Sequence, residues 1–476
     1  MDRPSRIIPI AAAAAAGDAD AELFEVRQKI HPRAVTGKFA AWRWSMVWIT
    51  QLVFYGLPWL TWNGRPAVLF DLTQRQFFLF GTVLYPQDFV YLTGLLVIAA
   101  MSLFLFTAVA GRLWCGYACP QTVYTEIFMW IEMRVEGDRA QRIRLDRAPM
   151  SARKLGLRAA KHGLWLAVAL WTGVTFVGYF SGMRPLLASI GSLDAGGWEA
   201  FWVLFYAFAT YGNAGFMREQ VCKYMCPYAR FQSAMIDRDT LVITYDGGRG
   251  DPRGSRSRKA DPRALGLGDC VDCGVCVEVC PTGIDIRKGL QNECIGCAAC
   301  VDACDKIMDR MGYARGLIRY DTERGVRERL SRSALLRQAL RPRVLVYAAV
   351  LAAVTTGLVA HMALRTPLKV DVIRDRGVLG REVEDGMTEN VYRLQVMNTS
   401  ERARRLRIGV TGLESIAVVS NAFVDVERGE HRLVPVRVRA LQGVGKPGPN
   451  RIEFTVEALD DTRVAVREKS TFFVPR

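Results

Sequence analysis

Histidine is scarce in this chain of 476 residues, and its four copies lie far apart at positions 31, 162, 361 and 431. That scatter lacks the spacing of metal ligands, so a histidine-based metal site is not expected. Cysteine is confined to the middle of the chain, since none precedes Cys115 and none follows Cys304. Basic residues outnumber acidic ones by 63 to 47, but they cluster beside apolar segments without the interleaved aromatic residues of a nucleic-acid-binding surface. No nucleic-acid partner is therefore expected.

The apolar residues are gathered into segments rather than spread evenly. They make up 50% of the chain, and the mean hydropathy is +0.10 although 23% of the residues are charged. This combination is typical of membrane spans alternating with charged segments, and it excludes a disordered chain. At a rise of about 1.5 Å per residue, several segments are long enough to cross about 30 Å of hydrocarbon as helices. The five predicted spans are 42–62, 88–110, 162–180, 198–217 and 343–364.

The charged flanks of these spans predict their orientation. Residues 1–43 hold seven Lys and Arg and the 111–161 loop holds ten, whereas the 63–87 loop holds two and the 181–197 loop holds one. By the positive-inside rule the N-terminus and the 111–161 loop are cytoplasmic, and five crossings leave the C-terminus outside a bacterial inner membrane. An apolar run at 7–16 looks like a signal peptide, but cleavage there would export the basic segment that follows. A cytoplasmic tail is predicted instead.

Eight of the twelve cysteines form two copies of the bacterial ferredoxin pattern C-x2-C-x2-C-x3-C, separated by thirteen residues. In that pattern, three thiolates of one run and the last thiolate of the other run hold each [4Fe–4S] cluster. A zinc ribbon is the alternative, but these cysteines have no simple tetrahedral partition with zinc-ribbon spacing. Asp305 stands where the second run normally has proline. The predicted ligands are Cys270, Cys273, Cys276 and Cys304 for one cluster, and Cys294, Cys297, Cys300 and Cys280 for the other.

The remaining four cysteines form two pairs that share the pattern C-x-Y-x-C-P. Cys115 and Cys119 follow one predicted span, and Cys222 and Cys226 follow another at an offset of 107 residues, which indicates an internal repeat of a helical hairpin. The proline after each second cysteine predicts that this cysteine lies at the start of the next helix, where the helix dipole lowers a thiol pKa. Parallel hairpins would bring the four thiolates together at the membrane surface.

The chemistry of these four cysteines stays open at this point. Soft thiolates suit Cu(I) or a further iron–sulfur cluster, whereas reduced cysteines can also pack simply as small apolar residues. All twelve cysteines lie on the predicted cytoplasmic side, where a reducing compartment argues against disulfides.

Two other residue types near these cysteines are candidates for a redox site. Glu126 and Glu132 follow Cys119 and would either accept protons from a quinol or form a solvated helix face. Methionine could add thioether ligands for copper, although methionine at helical spacing is usually core packing. The methionines concerned are Met129, Met133, Met225, Met308 and Met311.

The C-terminal part of the chain alternates apolar and polar residues with a period of two. Segments that begin at Val391, Arg405, Leu433 and Ile452 recur between turn signals, which predicts about seven short strands in an antiparallel sandwich of immunoglobulin type. With no cysteine and no catalytic constellation, this domain is expected to bind a partner. The stretch 246–268, rich in Gly, Arg, Pro and Ser, is interpreted as a flexible linker.

Together these features predict a multi-domain membrane protein with a five-helix transmembrane region, a ferredoxin-like α+β domain for two [4Fe–4S] clusters, and an all-β immunoglobulin-like sandwich. The predicted parts are a cytoplasmic N-terminal tail (1–41), four transmembrane helices with cytoplasmic CxxxCP loops (42–217), the cytoplasmic cluster domain (218–342), a fifth transmembrane helix (343–364) and a periplasmic domain (365–476).

With these motifs in place, the chain resembles the CcoG/FixG/RdxA family of cytochrome c oxidase accessory proteins over nearly its whole length. The strings that carry the resemblance are much longer than a ferredoxin motif, and within this family Asp305 looks like a normal variant. Beside the paired ferredoxin runs, these strings are GRPAVLFD at 64–71, GRLWCGYACPQTVYTE at 111–126, EQVCKYMCPYARF at 219–231 and GYARGLIRY at 312–320.

The resemblance implies a membrane-bound reductase that converts Cu(II) to Cu(I) during assembly of a cbb-type cytochrome c oxidase. It implies a copper role for Cys115, Cys119, Cys222 and Cys226, and it implies a copper-transporting P-type ATPase and copper chaperones as partners, besides the membrane lipid. The electron donor is not implied. Two alternatives stay open: a quinone-linked polyferredoxin relay without a copper substrate, and a non-catalytic scaffold for oxidase assembly.

Overall fold

A computed structural model of the chain shows a helical part, a small α+β part that carries the ferredoxin cysteines, and an all-β C-terminal part. Most of the predicted N-terminal tail, including the apolar run 7–16, lies outside the residues that the structure describes. The described residues are 29–262, 264–331, 333–334, 340–375, 380–383, 386–400 and 402–475.

The α-helices of the described chain range from one turn to thirty residues. They are α1 (Lys38–Gly56), α2 (Phe89–Ala110), α3 (Leu113–Tyr117), α4 (Pro120–Glu136), α5 (Arg139–Arg147), α6 (Ala152–Ser181), α7 (Met183–Gly191), α8 (Gly197–Thr210), α9 (Pro227–Met235), α10 (Gly247–Gly250), α11 (Val275–Glu278), α12 (Ala299–Met311), α13 (Glu323–Glu328) and α14 (Pro342–Ala363).

Its strands fall into small hairpins in the first part and two larger sheets at the C-terminus. They are β1 (Thr61–Trp62), β2 (Arg65–Pro66), β3 (Val68–Asp71), β4 (Gln76–Leu79), β5 (Thr82–Leu84), β6 (Val242–Tyr245), β7 (Ile318–Asp321), β8 (Leu368–Arg374), β9 (Arg381–Val383), β10 (Met387–Asn398), β11 (Arg404–Thr411), β12 (Ala417–Val418), β13 (Phe423–Val426), β14 (His431–Leu441), β15 (Gly448–Ala458) and β16 (Ala465–Val474).

Three helices in the described part of the chain are long and apolar enough to cross a membrane: Pro86–Ala110, Ala152–Ser181 and Pro342–Ala363. The predicted count of five is therefore not confirmed. The span predicted at 42–62 is a helix that ends at Gly56, because Pro58 follows and the chain turns into a 3-10 segment. The span predicted at 198–217 is a fourteen-residue α8 that continues as a π-helix over the glycine-containing residues 211–217.

The helices pack closely where small residues face a neighbour. A Cβ at Gly173 of α6 would lie 2.3 Å from the carbonyl oxygen of Val203 in α8, so only glycine allows this approach. Gly94 of α2 similarly makes room for the side chain of Leu358 in α14. The opposite faces of these helices leave large apolar side chains exposed, as at Leu96 and Phe205, which is the pattern of a lipid-facing surface.

The α+β part and the all-β part lie at opposite ends of α2. At the start of this helix, Asp88 pairs with Lys369 at the base of the C-terminal part. At its end, the Val109 carbonyl accepts a hydrogen bond of 3.0 Å from the Leu241 N–H, beside β6 of the α+β part. The helical part therefore separates the two.

The α+β part is built on an antiparallel pair, β6 and β7, in which Ile243 stands opposite Tyr320. The segment 246–268 is folded against it rather than forming a flexible linker. Arg256 donates to the carbonyl oxygens of Gly268 and Cys270 and to the Tyr313 hydroxyl, which ties the segment to the cysteine loop. The composition rich in Gly, Arg, Pro and Ser suggested a flexible linker because the sequence does not reveal these long-range acceptors.

The C-terminal part is a two-sheet antiparallel sandwich, as predicted. One sheet has the order β12-β14-β10-β8 with β9 beside β10, and the other has the order β13-β11-β15-β16. The four alternating segments of the sequence lie in β10, β11, β14 and β15, whose inward side chains form one buried core. Tyr392 and Phe454 meet across the sheets edge to face at 4.9 Å. The sandwich has more strands than the seven that alternation predicted, because short strands show little periodicity.

Candidate functional site: the cysteine groups

The two CxxxCP motifs place their second cysteine alike, at the start of a helix, but differ in the helical turn that holds the first cysteine. Cys115 lies in the short helix α3 and Cys119 is the N-cap residue of α4, whose first residue is Pro120. Cys222 lies in a π-turn and Cys226 is the N-cap residue of α9. The predicted position of each second cysteine at a helix start is therefore confirmed. Each pair spans a break between two helical segments, so the pair does not lie along one continuous helix.

Hydrogen bonds between the two repeats hold the four thiols together. The Arg112 guanidinium donates to the Ala229 carbonyl at 2.6 Å, and the Gln121 amide donates to the carbonyls of Asn213 and Arg218. The Cys115 thiol donates to the Gln232 side chain at 3.4 Å. Each CxxxCP repeat is thus hydrogen-bonded to the other.

The lowered thiol pKa predicted for the second cysteine of each pair is wrong for Cys119, because burial dominates at this site. Burial raises the pKa of Cys115 to about 11 and that of Cys222 to about 12, with the neighbouring thiols acting in the same direction. Burial also raises the pKa of Cys119, although the N–H groups of the first turn of α4 oppose it. The helix start contributes as expected, but desolvation outweighs it. The buried guanidinium of Arg112 favours the charged form of Cys115 and Cys222.

The ferredoxin cysteines surround two separate small cavities, and each cavity draws on both runs. In the first, the last cysteine of the second run faces the first three cysteines of the first run. In the second, Cys280 of the first run faces three cysteines of the second run, with Cys276 at the edge. The first cavity is lined by Cys270, Cys273, Cys276 and Cys304, and the second by Cys280, Cys294, Cys297 and Cys300.

The backbone of these loops has the conformation that directs N–H groups toward a bound anion. Gly274, Gly296, Asp272 and Ala298 all have positive φ, between 50° and 70°. Successive N–H groups in such turns form an anion-binding concavity, as in other iron–sulfur sites. Asp305, which replaces the usual proline, accepts a hydrogen bond of 2.9 Å from the Gly316 N–H and so fixes the end of the second run.

The donor sets fit iron–sulfur clusters better than single ions. Within the described residues, no group of three or more His, Cys, Asp or Glu side chains is arranged to hold one metal ion. A [4Fe–4S] cluster instead binds one thiolate at each iron corner, so its ligands stand farther apart. Two cavities with four cysteines each, drawn crosswise from both runs, meet that requirement.

The second ferredoxin group is packed directly against the four-thiol site. A Cβ on Gly116 would lie 2.8 Å from the Ile295 carbonyl oxygen and 2.9 Å from the Cys297 Cα. Cys115 and Cys222 also border the same apolar core as Cys297 and Cys300. In the first ferredoxin group, Cys276 and Cys304 border another core that includes Cys294 and Cys300. The second ferredoxin group therefore contacts both the first group and the CxxxCP thiols.

Sequence reasoning missed the residues that join these groups. The positive charge of Arg112 favours the charged form of the Cys115, Cys222 and Cys294 thiols, because Arg112 lies between the four-thiol site and the second ferredoxin group. Its position three residues before Cys115 is the one signal that pointed to it. Nothing in the sequence marked Gly116 or Gln232, since their role depends on contacts more than 100 residues away.

The two glutamates of α4 do not form a solvated helix face. Glu132 is 2% exposed and lies among cations, at 2.7 Å from Arg218 and 3.1 Å from Arg142. Glu126, whose side chain is 18% exposed, lines a cavity together with Met129 and other residues of the same helix. The two carboxylates thus have different surroundings.

The fold and the cysteine groups define a membrane-associated iron–sulfur electron-transfer protein with an immunoglobulin-like domain. Three family models match the chain in line with this description. They are described as "4Fe-4S binding domain" at residues 92–136, "4Fe-4S dicluster domain" at 217–323, and "IG-like fold at C-terminal of FixG" at 358–475.

Whole-length relatives identify the family. The nitrogen fixation protein FixG of Rhizobium meliloti is 38% identical over 453 residues, covering 88% of this chain and 86% of that protein. Protein RdxA of Cereibacter sphaeroides is 41% identical over 416 residues, covering 85% of this chain and 87% of that protein. The chain belongs to the FixG/RdxA family. A crystal structure of a FixG-related protein from Vibrio parahaemolyticus is similar over 23% of this chain and 96% of that one, with 25% identity and a TM-score of 0.21.

Proposed function

We propose that this protein reduces Cu(II) to Cu(I) at the four-thiol site, using electrons that arrive through the ferredoxin cysteines. The observation that carries the proposal is the contact of Gly116 with the backbone around Cys297, which sets the four-thiol site directly beside the second ferredoxin group. The reaction takes one electron per copper ion. [4Fe–4S] clusters, when bound by the eight ferredoxin cysteines, supply electrons singly.

The chain's own residues favour the reduced form of copper at that site. Soft thiolates select Cu(I), so Cys115, Cys119, Cys222 and Cys226 would stabilise the product of the reduction. Arg112 opposes the effect of burial on the Cys115 and Cys222 thiols by favouring their charged form. The surrounding apolar core keeps water from the path between the two groups.

The proposal includes an orientation and partners. The N-terminus and the cysteine groups lie in the cytoplasm and the sandwich lies in the periplasm, in accord with the distribution of Lys and Arg. Cu(I) passes on to a copper-transporting P-type ATPase and to chaperones that assemble a cbb-type oxidase. In this proposal the sandwich binds one of these partners.

A second candidate is an electron relay in which the CxxxCP cysteines hold a third iron–sulfur cluster. It is favoured by the match of a 4Fe-4S binding model to residues 92–136, which include Cys115 and Cys119. It is also favoured by the absence, among the described residues, of a cysteine group arranged for a single ion. In that case copper would not be the substrate.

Replacing all four CxxxCP cysteines by serine separates the two candidates. Protein purified anaerobically is reduced with dithionite, freed of excess dithionite by gel filtration and mixed with Cu(II), and Cu(I) is trapped with a chromogenic chelator. We expect the quadruple variant to lose at least about tenfold in rate while retaining about eight irons per chain and the EPR signals of two clusters. If Cu(II) reduction persists in the variant, the copper site is refuted. A parallel loss of about four irons would identify the third cluster.

A further inference from the structure

A cavity of about 460 Å³ lies between the N-terminal segment, α1, α4 and the second ferredoxin group. Its volume is in the range of sites for small organic ligands. None of the cysteine chemistry described above uses it. The residues that line it are Pro32, Arg33, Ala34, Val35, Thr36, Gly37, Ala40, Ala41, Arg43, Trp44, Glu126, Met129, Trp130, Met133, Arg142, Val279, Pro281 and Ala299.

The walls of this cavity suit a flat aromatic ring. Trp44 of α1 and Trp130 of α4 meet edge to face, with ring centroids 6.3 Å apart, and Met129 and Met133 extend the same apolar wall. Thioether and indole groups bind flat rings well. Trp130 is 41% exposed, so the cavity opens where apolar side chains begin to face outward. Tryptophan is typical of such positions at a membrane surface.

Two hydrogen-bond donors at the cavity have no acceptor. The Nε atoms of Arg43 and Arg142 are buried without a hydrogen-bond partner in the described chain, and the two residues are only 7% and 4% exposed. A buried donor without a partner loses the hydrogen bond that it makes with water in the unfolded chain, so such groups normally meet a ligand or water. Glu126 stands beside them, with its Oε1 3.9 Å from Arg43 Nη2. This distance is too long for a hydrogen bond and leaves the carboxylate able to accept one.

The inner wall of the cavity belongs to the second ferredoxin group. Val279 and Pro281 flank Cys280 in the chain, and Ala299 immediately precedes Cys300. The charge of Arg43 acts to lower the pKa of the Cys297 thiol, and the charge of Glu126 acts to raise it. A ligand in the cavity is therefore separated from these cysteines by one layer of small side chains.

We propose that this cavity binds the head group of a membrane quinol and that the quinol is the electron donor of the protein. The inference rests on the proposed function only in that the second ferredoxin group holds the electron acceptor. Oxidation of the quinol to the quinone releases two electrons, taken singly by that acceptor, and two hydroxyl protons. Glu126 accepts one proton and the other passes to water. The guanidinium groups of Arg43 and Arg142, two residues of the cavity wall, donate to the quinone oxygens.

The same cavity suits an anionic lipid head group less well. A phosphate would be attracted by the arginines, but it would be repelled by the Glu126 carboxylate and would find no polar contact on the wall of Trp44, Trp130 and the methionines. A neutral ring with two oxygens matches both the apolar wall and the two arginines of the cavity.

Photoaffinity labelling tests the site without relying on turnover. The full-length protein in detergent is irradiated with an azido-ubiquinone, and the labelled peptides are identified by mass spectrometry. We expect labelling of residues 32–44 and 120–136, competed by excess decylubiquinone. Arg43→Met should lower the labelling at least tenfold, and so should Met133→Trp, which fills the cavity and keeps every ion pair. Iron content and the EPR spectrum after dithionite reduction show that each variant is folded.

Rapid mixing with decylubiquinol supplies the second measurement. In the wild type the quinol should bleach the iron–sulfur absorbance, and Glu126→Gln should slow this bleaching at least tenfold while keeping the photolabel. The matched control is Arg238→Met with Glu323→Gln, an exposed Arg–Glu pair with a separation of 4.0 Å, which should leave both readouts unchanged.

Two outcomes overturn the inference: no label on either segment in the wild type, or a label that phosphatidylglycerol displaces and decylubiquinone does not. Failure of the copper proposal has a different signature, since labelling and bleaching would persist in a protein that does not reduce Cu(II).

Discussion

Gly116 is the residue at which the first CxxxCP motif meets the second ferredoxin group. Its Cα faces backbone atoms of Ile295 and Cys297, and an added Cβ would come within 3.0 Å of them. Backbone atoms cannot move aside as the end of a flexible side chain can. The close approach of the two cysteine groups therefore depends on the missing side chain.

Replacing Gly116 with alanine is expected to push the two groups apart. Overpacking of this kind costs about 1–3 kcal/mol, and a displacement of about 1 Å can slow a positioned reaction by up to about 100-fold. We expect the variant to keep its iron but to reduce Cu(II) at least about tenfold more slowly. Gly163→Ala in α6, where a Cβ would meet open space, is the matched control. An unchanged rate in the Gly116 variant would show that the contact does not carry the electrons.

At the scale of single elements, α4 is anchored by a buried ion cluster rather than by apolar packing alone. The Glu132 carboxylate of this helix accepts hydrogen bonds from Arg142 of α5 and from Arg218, which follows the π-helix at 211–217. It also lies 3.9 Å from the ammonium group of Lys161 in α6. One carboxylate thus fixes the helix that carries Cys119 relative to the second repeat. Removing one partner of a buried ion pair leaves the others uncompensated, which costs about 3–5 kcal/mol.

Glu132→Gln is therefore expected to destabilise the protein by about 3 kcal/mol, and to change its response to acid. Burial acts to raise the Glu132 pKa, but Arg218, Lys161 and Arg142 outweigh it, so the pKa is lowered from 4.5. The stabilisation from Glu132 is complete at a pH above the pKa that Glu132 has in the unfolded chain. It is lost as the pH falls through the lower pKa that Glu132 has in the folded protein. Thermal unfolding in detergent between pH 7 and 3 measures this.

The wild type should lose its advantage over the variant only below about pH 4.5. Asp309→Asn, which removes an exposed pair with Arg315, is the control and should have little effect at pH 7. Equal stability of the wild type and Glu132→Gln at pH 7 would contradict the anchoring role.

In the whole molecule, the sandwich is held at the far end of the helices by contacts with the loop between α1 and α2. Asp88, 6% exposed, pairs with Lys369 and lies 3.6 Å from Arg365, the two cations that flank the start of β8. The hairpin of β3, β4 and β5 adds Gln76, whose amide lies 3.0 Å from His431 Nδ1. The sandwich is thus docked on a platform formed by the loop between α1 and α2.

Asp88→Asn is expected to loosen this docking without unfolding the sandwich. Losing the Asp88 charge leaves Arg365 and Lys369 without their acidic partner. Local opening at residues 364–368 should therefore become at least about tenfold more frequent, which is equivalent to about 1.4 kcal/mol. Hydrogen–deuterium exchange measures this opening. Asp460→Asn, on an exposed pair with Arg404 elsewhere in the sandwich, is the control. Unchanged exchange at 364–368 would show that the platform holds the sandwich without this ion group.

The order of residues was enough to predict the cysteine groups, the helix starts after Cys119 and Cys226, and the alternating strands of the sandwich, and it led to the hypothesis of crosswise cluster ligands. These features depend on spacing and on neighbours a few residues away, which the order of residues fixes directly. The tertiary structure decided what meets across long distances: Gly116 with Cys297, Glu132 with its cations, and Arg43 with a cavity beside Cys280. Such contacts depend on how whole elements pack, and burial there reversed two local expectations, the lowered pKa of Cys119 and the solvated face of α4.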